Sequence, residues 1–194
     1  MASYVTDYAD QAVLLPIAAI VAFALFVSGW RRGALAWGLA VAGMLGLMLA
    51  LKLVSMACGH LVLGPELHSP SGHTAAAATI YGGLLVLLAR QHLRGARWPF
   101  VFPVAVALLI GLTRLTLGAH TAVEVVLGAA VGITGAAVAA RLAGHPPAGV
   151  RLGRLAAAVA AIAILFHGFH LRAEAAIGDT YLLRVWPLSV CTAH

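Results

Sequence analysis

Six long apolar stretches dominate this 194-residue sequence and restrict it to architectures that a lipid bilayer admits. Hydrophobic residues make up 62% of the chain and charged residues only 9%, with a mean hydropathy of +1.00. Soluble domains carry about 25% charged residues, so lipid must be the solvent for most of this exterior. A span needs about 20 apolar residues, which leaves no room for a large soluble domain. The stretches are 13–29, 34–53, 74–89, 99–117, 122–140 and 155–170.

These stretches are predicted to be helices. They exceed the usual strand length, are rich in Ala and Leu, and do not alternate between polar and apolar residues. Lipid offers no water to backbone polar groups, so only helices and closed barrels span it. We therefore predict an all-α bundle of six transmembrane helices, forming a single membrane domain over residues 1–194 with an outer tail at 171–194.

The first stretch is predicted to be a retained span. Asp7 and Asp10 precede it, and no Lys or Arg does. A signal peptide begins with basic residues, so that alternative does not fit.

The charged residues of the loops predict the orientation. Eight of the twelve Lys and Arg residues lie in the loops after the first, third and fifth spans, which share one side of the bundle. The positive-inside rule makes that side cytoplasmic and places both termini outside. The net charge of +6 is not gathered into a patch with interleaved aromatic residues, so no nucleic-acid partner is expected. The eight are Arg31, Arg32, Arg90, Arg94, Arg97, Arg141, Arg151 and Arg154, and all six acids (Asp7, Asp10, Glu66, Glu124, Glu174 and Asp179) fall on the other side.

Three charged residues remain within the predicted spans, and all three lie at the outer end of the bundle. Lys52 closes the second span, Arg114 lies near the end of the fourth, and Glu124 lies near the start of the fifth. Charges inside a membrane are costly and are candidates for function. A polar segment, 68–74, opens the third span on the same side, and His120 opens the fifth.

This set of residues suits a phosphate group. Lys and Arg bind oxyanions, and the planar fork of Arg matches phosphate. Ser71 and Gly72 open a helix whose first amides favour anions, and Gly72 lets the backbone approach closely. His73 and His120 can divide the roles of nucleophile and proton donor, and a carboxylate can fix the tautomer of one of them.

In order and spacing these residues resemble the type 2 phosphatidic acid phosphatase (PAP2) superfamily. Its second motif, Pro-Ser-Gly-His, is intact at residues 70–73. Its third motif, Ser-Arg-x5-His-x3-Asp, matches residues 113–124 with Thr113 for Ser and Glu124 for Asp. Its first motif, Lys-x6-Arg-Pro, keeps Lys52 but has Gly59 and His60 in place of Arg and Pro.

The resemblance implies a metal-independent phosphatase that needs no cofactor. His120 would attack phosphorus and form a phosphohistidine, Glu124 would orient it, and His73 would protonate the leaving oxygen and then activate water. Lys52, Ser71, the Gly72 amide and Arg114 would hold the phosphate oxygens. The lost motif Arg removes a bidentate phosphate contact, so either another residue substitutes for it or the substrate presents fewer phosphate oxygens. The candidate substitutes are His60, His68, Arg172 and Arg184.

Several of these residues also have structural interpretations. Thr121 and Glu124 have the spacing of a helix capping box, which is compatible with a catalytic role for Glu124. Lys52 could extend from a span end towards the membrane surface. His167 and His170 could contact substrate or metal, but interfacial placement is the more common role. Cys58 and Cys191 could pair outside, where disulfides persist. Gly128 and Gly132 have GxxxG spacing, which favours packing within the bundle over a dimer face.

The expected function is hydrolysis of a phosphate ester or pyrophosphate on a membrane lipid. The expected location is a bacterial cytoplasmic membrane, with the site on the periplasmic or extracellular side. Candidate substrates are polyprenyl pyrophosphate, phosphatidic acid, phosphatidylglycerol phosphate and a lipid A phosphate. Two alternatives remain: phosphotransfer to an acceptor other than water, and an inactive relative that binds anionic lipid.

Overall fold

The chain folds into helices throughout the part described by the computed structural model. That part comprises residues 1–62, 68–92, 100–171 and 176–177, with backbone alone at 56–62 and 92. No strand occurs among these residues, so the predicted all-α class is confirmed there. The helices are α1 Ala2–Asp7, α2 Gln11–Val27, α3 Arg31–Val62, α4 Gly72–Ala77, α5 Gly83–His92, α6 Val101–Thr116, α7 Ala122–Ala143 and α8 Leu152–Leu165, and a π-helical turn, Ala78–Gly82, joins α4 to α5.

Within the described ranges, four helical segments are long and apolar enough to cross a membrane: Ala2–Val27, Arg31–Ser55, Gly72–Gln91 and Ala122–Ala143. The helices predicted as the fourth and sixth spans are apolar but shorter, with 16 residues in α6 and 14 in α8. The sixth predicted stretch extended to His170, but α8 ends at Leu165, and Gly168 follows with a positive φ of 86°. The described residues therefore contain six apolar helical segments, and length alone supports four of them as spans.

The outside of the bundle is as apolar as its core. Large apolar side chains are exposed on the outer helices, for example Phe23 on α2, Leu35 on α3, Leu108 on α6, Val126 on α7 and Ile164 on α8. A soluble protein scatters such residues singly, whereas apolar residues all around a helix indicate a lipid environment. The exterior is that of an integral membrane protein.

The continuous helix formed by α4, the π turn and α5 lies at the centre and packs against a row of glycines on α7. A Cβ at Gly128 would lie 2.4 Å from the carbonyl oxygen of Ser71, and one at Gly132 would lie 2.5 Å from that of Ala75. At Gly135 it would lie 2.7 Å from Oγ1 of Thr79. The GxxxG residues thus serve packing within the bundle, the interpretation that the sequence favoured.

Two groups of charged side chains lie at opposite ends of the bundle. At one end, Arg32 Nε donates to the carbonyl oxygen of Leu142 at 2.7 Å, and Arg90 donates to that of Ala140. These arginines bind carbonyls at the C-terminus of α7, where the helix dipole favours positive charge. The other end carries Asp10, Lys52, Arg114 and Glu124, and the candidate site is built there.

Candidate active site

Glu124 organises the candidate site from the first turn of α7. Its side chain accepts the backbone N–H of Thr121 at 3.1 Å, while the hydroxyl of Thr121 accepts the N–H of Glu124 at 3.3 Å. This reciprocal arrangement is the predicted capping box, which satisfies two amides that a helix start leaves without partners.

The same carboxylate binds His120 and the segment before α4. Oε2 lies 2.9 Å from Nδ1 of His120, and Oε1 accepts the N–H groups of His68 and Ser69 at 2.7 Å each. Glu124 is only 4% exposed, and these hydrogen bonds satisfy a buried charge that would otherwise be costly. The side chain of Glu124 therefore both caps α7 and pairs with His120, two roles that the sequence analysis treats as compatible.

The second ring nitrogen of His120 differs from the first in its surroundings. A carboxylate can only accept, so Nδ1 carries the proton and the lone pair of the neutral ring is on Nε2. Nε2 is buried and has no hydrogen-bond partner among the described residues. Buried polar atoms are almost always satisfied, and an exception points to a strained or reactive site.

Lys52 joins this end of the bundle from α3. Its ammonium donates to the hydroxyl of Ser69 at 2.8 Å, and the residue is 4% exposed. Lys52 therefore points into the bundle, which is not the behaviour of a residue that extends along lipid to the surface. A Cβ added at Gly72 would lie 3.6 Å from Cε of Lys52 and 3.9 Å from Nε2 of Gln11, so a methyl group would fill the space between the helix start and the lysine.

The Pro-Ser-Gly-His segment forms the start of α4. The hydroxyl of Ser71 lies 2.9 Å from that of Thr74 and accepts its N–H at 3.4 Å, which makes Ser71 the N-cap. The N–H of Ser71 donates to the carbonyl oxygen of Glu124 at 3.0 Å. The starts of α4 and α7 are thus bound to each other, as a site shared by His73 and His120 requires.

Asp10 faces His73, a relationship that the sequence reasoning missed. Oδ2 of Asp10 lies 3.6 Å from Nε2 of His73. Asp10 is also the N-cap of α2, where Oδ1 accepts the N–H of Ala12 at 2.8 Å. The sequence analysis uses Asp10 to exclude a signal peptide and counts it among the outer acids. It assigns Asp10 no role in the site, because a 63-residue separation from His73 gives no spacing to recognise.

Arg114 reaches the N-terminal helix. Nη1 donates to the hydroxyl of Thr6 at 3.4 Å, and Thr6 is buried. The first six helical residues therefore cover the same end of the bundle as the histidines. Nothing in the sequence of α1 signals this contact, since Thr6 is one of three hydroxyl-bearing residues in a short helix.

The two candidate histidines after α8 bind α1. His167 Nε2 lies 3.0 Å from the carbonyl oxygen of Tyr4, and its ring packs on Tyr4 and Tyr8 with centroids 4.3 Å apart in each case. His170 Nε2 lies 3.0 Å from Oδ1 of Asp7, and this hydrogen bond raises the pKa of His170. Both histidines therefore have structural partners at the surface.

Some predicted contributors lie outside the described residues. These are the side chains of His60, Cys58, Cys191, Arg172 and Arg184. The predicted Cys pair and three of the four candidate substitutes for the motif Arg are therefore outside the described part of the chain. His68, the fourth, is described: its amide binds Glu124, and the residue is exposed.

Comparison with known families agrees with the geometry. Residues 14–145, more than half of the chain, match the PAP2 superfamily, and this range contains all the residues of the second and third motifs and Lys52. No curated protein and no solved structure gives a match. The chain belongs to the PAP2 superfamily, whose members are phosphatases that act on phosphate esters.

Proposed function

We propose that this protein hydrolyses a phosphate ester or pyrophosphate on a membrane lipid through a phosphohistidine at His120. The observation that carries the proposal is the different environment of the two ring nitrogens of His120. Glu124 binds Nδ1 at 2.9 Å, and the buried Nε2 has no hydrogen-bond partner among the described residues. A neutral imidazole held in that tautomer is an activated nucleophile.

In the first step, Nε2 of His120 attacks phosphorus. The P–N bond forms as the bond to the leaving lipid oxygen breaks, and that oxygen takes a proton from His73. The imidazole gains positive charge as the bond forms, and the carboxylate of Glu124 stabilises it. Glu124 stays ionised throughout, because its hydrogen bonds all favour the charged form.

In the second step, water replaces His120 on phosphorus. His73, now neutral, accepts a proton from the water, whose oxygen bonds to phosphorus as the P–N bond breaks. Phosphate leaves, and both histidines return to their starting states. One residue thus acts first as acid and then as base, as microscopic reversibility requires.

The phosphate oxygens would be held by Lys52, Ser71, Gly72 and Arg114. Lys52 lies next to Gly72 at the start of the 20-residue helical segment Gly72–Gln91, whose first amides favour anions. Arg114 adds a planar fork from α6. Transfer of a phosphoryl group depends mainly on positioning and on neutralising charge, and these groups supply both.

A lipid substrate fits the setting of this site. The histidines lie at one end of a bundle whose sides are apolar, so a head group would reach them while its chains stay in the bilayer. We further propose that residues 1–194 form a single membrane domain with six spans, in which α6 and α8 are short spans. The proposal also includes a bacterial cytoplasmic membrane with the site outside, an orientation supported by the arginines at the opposite end.

The test is phosphate release from purified lipid phosphates by the protein in detergent, with a chelator present. The panel contains phosphatidic acid, phosphatidylglycerol phosphate, polyprenyl pyrophosphate and a lipid A phosphate. Release by the parent chain that is lost in His120→Ala and His73→Ala supports the proposal, and His170→Ala is the matched control because it binds Asp7 at the surface. Equal release by the parent and the two site variants would contradict the mechanism.

The same assay separates the remaining alternatives. An inactive relative would bind the lipids without releasing phosphate from any of them. A phosphotransferase would consume the lipid faster than phosphate appears when an alcohol acceptor is added.

A further inference from the structure

We propose that Asp10 is a positioning residue that holds His73 for proton transfer to the leaving oxygen. This inference rests on the proposed function and assigns a role to a residue outside the three sequence motifs. Each of the two site histidines then has its own carboxylate: Glu124 for His120 and Asp10 for His73.

The carboxylate of Asp10 is fixed by elements that are distant in the sequence. Oδ1 accepts the N–H of Ala12 at 2.8 Å and that of Leu171 at 2.9 Å. Oδ2 is directed at Nε2 of His73, at a distance of 3.6 Å that suits an ion pair. The side chain of Asp10 is 6% exposed and that of His73 is 23% exposed, so solvent screens the pair only in part.

Capping alone does not account for an aspartate here. An N-cap needs one side-chain oxygen, and Ser, Thr and Asn serve about as well as Asp. Oδ1 makes the cap, so the second oxygen and the negative charge are what distinguish Asp10 from those residues. Burying a carboxylate is costly unless it is hydrogen-bonded and paired with a positive charge. The group that faces Oδ2 of Asp10 is the ring of His73, which supplies such a charge when it is protonated.

The other charged and titratable groups at this end fit the assignment. They are Asp10 at the N-cap of α2, Lys52 on α3, Arg114 on α6, Glu124 on α7 and His120 just before α7, and all of these helices pack against α4. Glu124 is engaged by His120 and three amides. Among these groups, Asp10 is therefore the carboxylate placed to balance a positive charge on His73.

The chemical consequence to be tested concerns the step in which the lipid oxygen leaves, because the later hydrolysis of the phosphohistidine is the same for every phosphate substrate. The imidazolium of His73 gives its proton to that oxygen, and Asp10 remains ionised without accepting the proton. An alkyl oxygen needs this proton, because an alkoxide is a poor leaving group. A p-nitrophenolate leaves without protonation and makes little demand on His73.

The experiment compares these two leaving groups in Asp10→Asn. Asn keeps the N-cap and removes the charge. We expect kcat/KM for short-chain phosphatidic acid to fall by roughly 10-fold to 100-fold, within the effect of losing general acid catalysis, and kcat/KM for p-nitrophenyl phosphate to fall by less than about 3-fold. In a His73→Ala background, Asp10→Asn should add nothing further, because the two residues act as a unit.

Asp7→Asn is the matched control. It removes a carboxylate from the same segment, but one that binds His170 at the surface, so both substrates should be hydrolysed as by the parent. Thermal unfolding of each variant in detergent checks that the fold is retained.

The outcomes separate this inference from the proposed function. Equal losses for the two substrates, no loss for either, or a further loss in the His73→Ala background would overturn the role of Asp10 and leave the phosphatase intact. A parent chain that releases phosphate neither from p-nitrophenyl phosphate nor from any lipid of the panel would overturn the proposed function and the role of Asp10 with it.

Discussion

The carboxylate of Glu124 lies 2.9 Å from Nδ1 of His120, and its second oxygen lies 2.7 Å from the amide nitrogens of His68 and Ser69. One buried side chain therefore holds the proposed nucleophile, caps α7 and fixes the segment that leads into α4. Because Glu124 makes every one of these contacts as an acceptor, the site depends on its charge and on both of its oxygens.

Glu124→Gln is expected to lower phosphate release by at least about 100-fold, as loss of a histidine-orienting carboxylate does elsewhere. The amide group of Gln would face either Nδ1 of His120 or the N–H groups that now donate to Glu124, so one set of donors loses its acceptor. Gln still completes a capping box, so α7 should persist. Thr121→Ser, which keeps the cap hydroxyl, is the control, and full activity in Glu124→Gln would show that His120 does not rely on this carboxylate.

Gly72→Ala tests the space next to Lys52. The new methyl group would lie 3.6 Å from Cε of Lys52, in ordinary contact, so the fold should tolerate it while the phosphate loses room. We expect roughly a 100-fold loss of kcat/KM, the scale of a misplaced reacting group, with little change in thermal unfolding. Gly46→Ala in α3 is the control, since nothing lies within 4 Å of the added carbon. Unchanged kcat/KM in Gly72→Ala would place the phosphate elsewhere.

Gly128→Ala should disturb the site through packing. Its Cβ would lie 2.4 Å from the carbonyl oxygen of Ser71, so the starts of α4 and α7 must separate. Overpacking of this kind costs about 1–3 kcal/mol in the free energy of unfolding. Unfolding in detergent and phosphate release should both be impaired. A variant as stable and active as the parent would show that α4 and α7 do not pack this closely.

Much of this site could be predicted from sequence because its signals are local or chemically rare. The capping box of Thr121 and Glu124 is a four-residue pattern, and the small residues of α7 mark close packing. Lys52 and Arg114 stood out because charges within apolar stretches are few. In each case a short pattern determines the local structure.

The partners of His73 and Arg114 could not be predicted in the same way. Asp10 and Thr6 reach them from the N-terminal segment, across 63 and 108 positions respectively. Such contacts depend on how α1 and α2 pack against α4 and α6, and no periodicity encodes them. The predicted sixth stretch also extends beyond the end of α8, because Phe166 and Phe169 prolong the apolar pattern while Gly168 turns the backbone.

The contact of His170 with Asp7 should make the docking of α1 depend on pH. The hydrogen bond to Asp7 raises the pKa of His170, so its stabilising effect is complete below the ordinary histidine pKa and is lost as the pH rises through the raised value. We expect the parent to unfold at a higher temperature than Asp7→Asn at about pH 5.5 and at nearly the same temperature at about pH 8.5. A difference that is constant with pH would show that protonated His170 does not stabilise the fold.

The central claim, covalent catalysis by His120, is tested most directly by trapping the intermediate. The protein is mixed with a lipid phosphate carrying labelled phosphorus, quenched rapidly in base and digested. We predict label on the peptide that contains His120, stable to base and released by acid as a phosphohistidine is, and absent from His120→Ala. Phosphate release by the parent with no labelled peptide, or with label that persists in His120→Ala, would contradict the account.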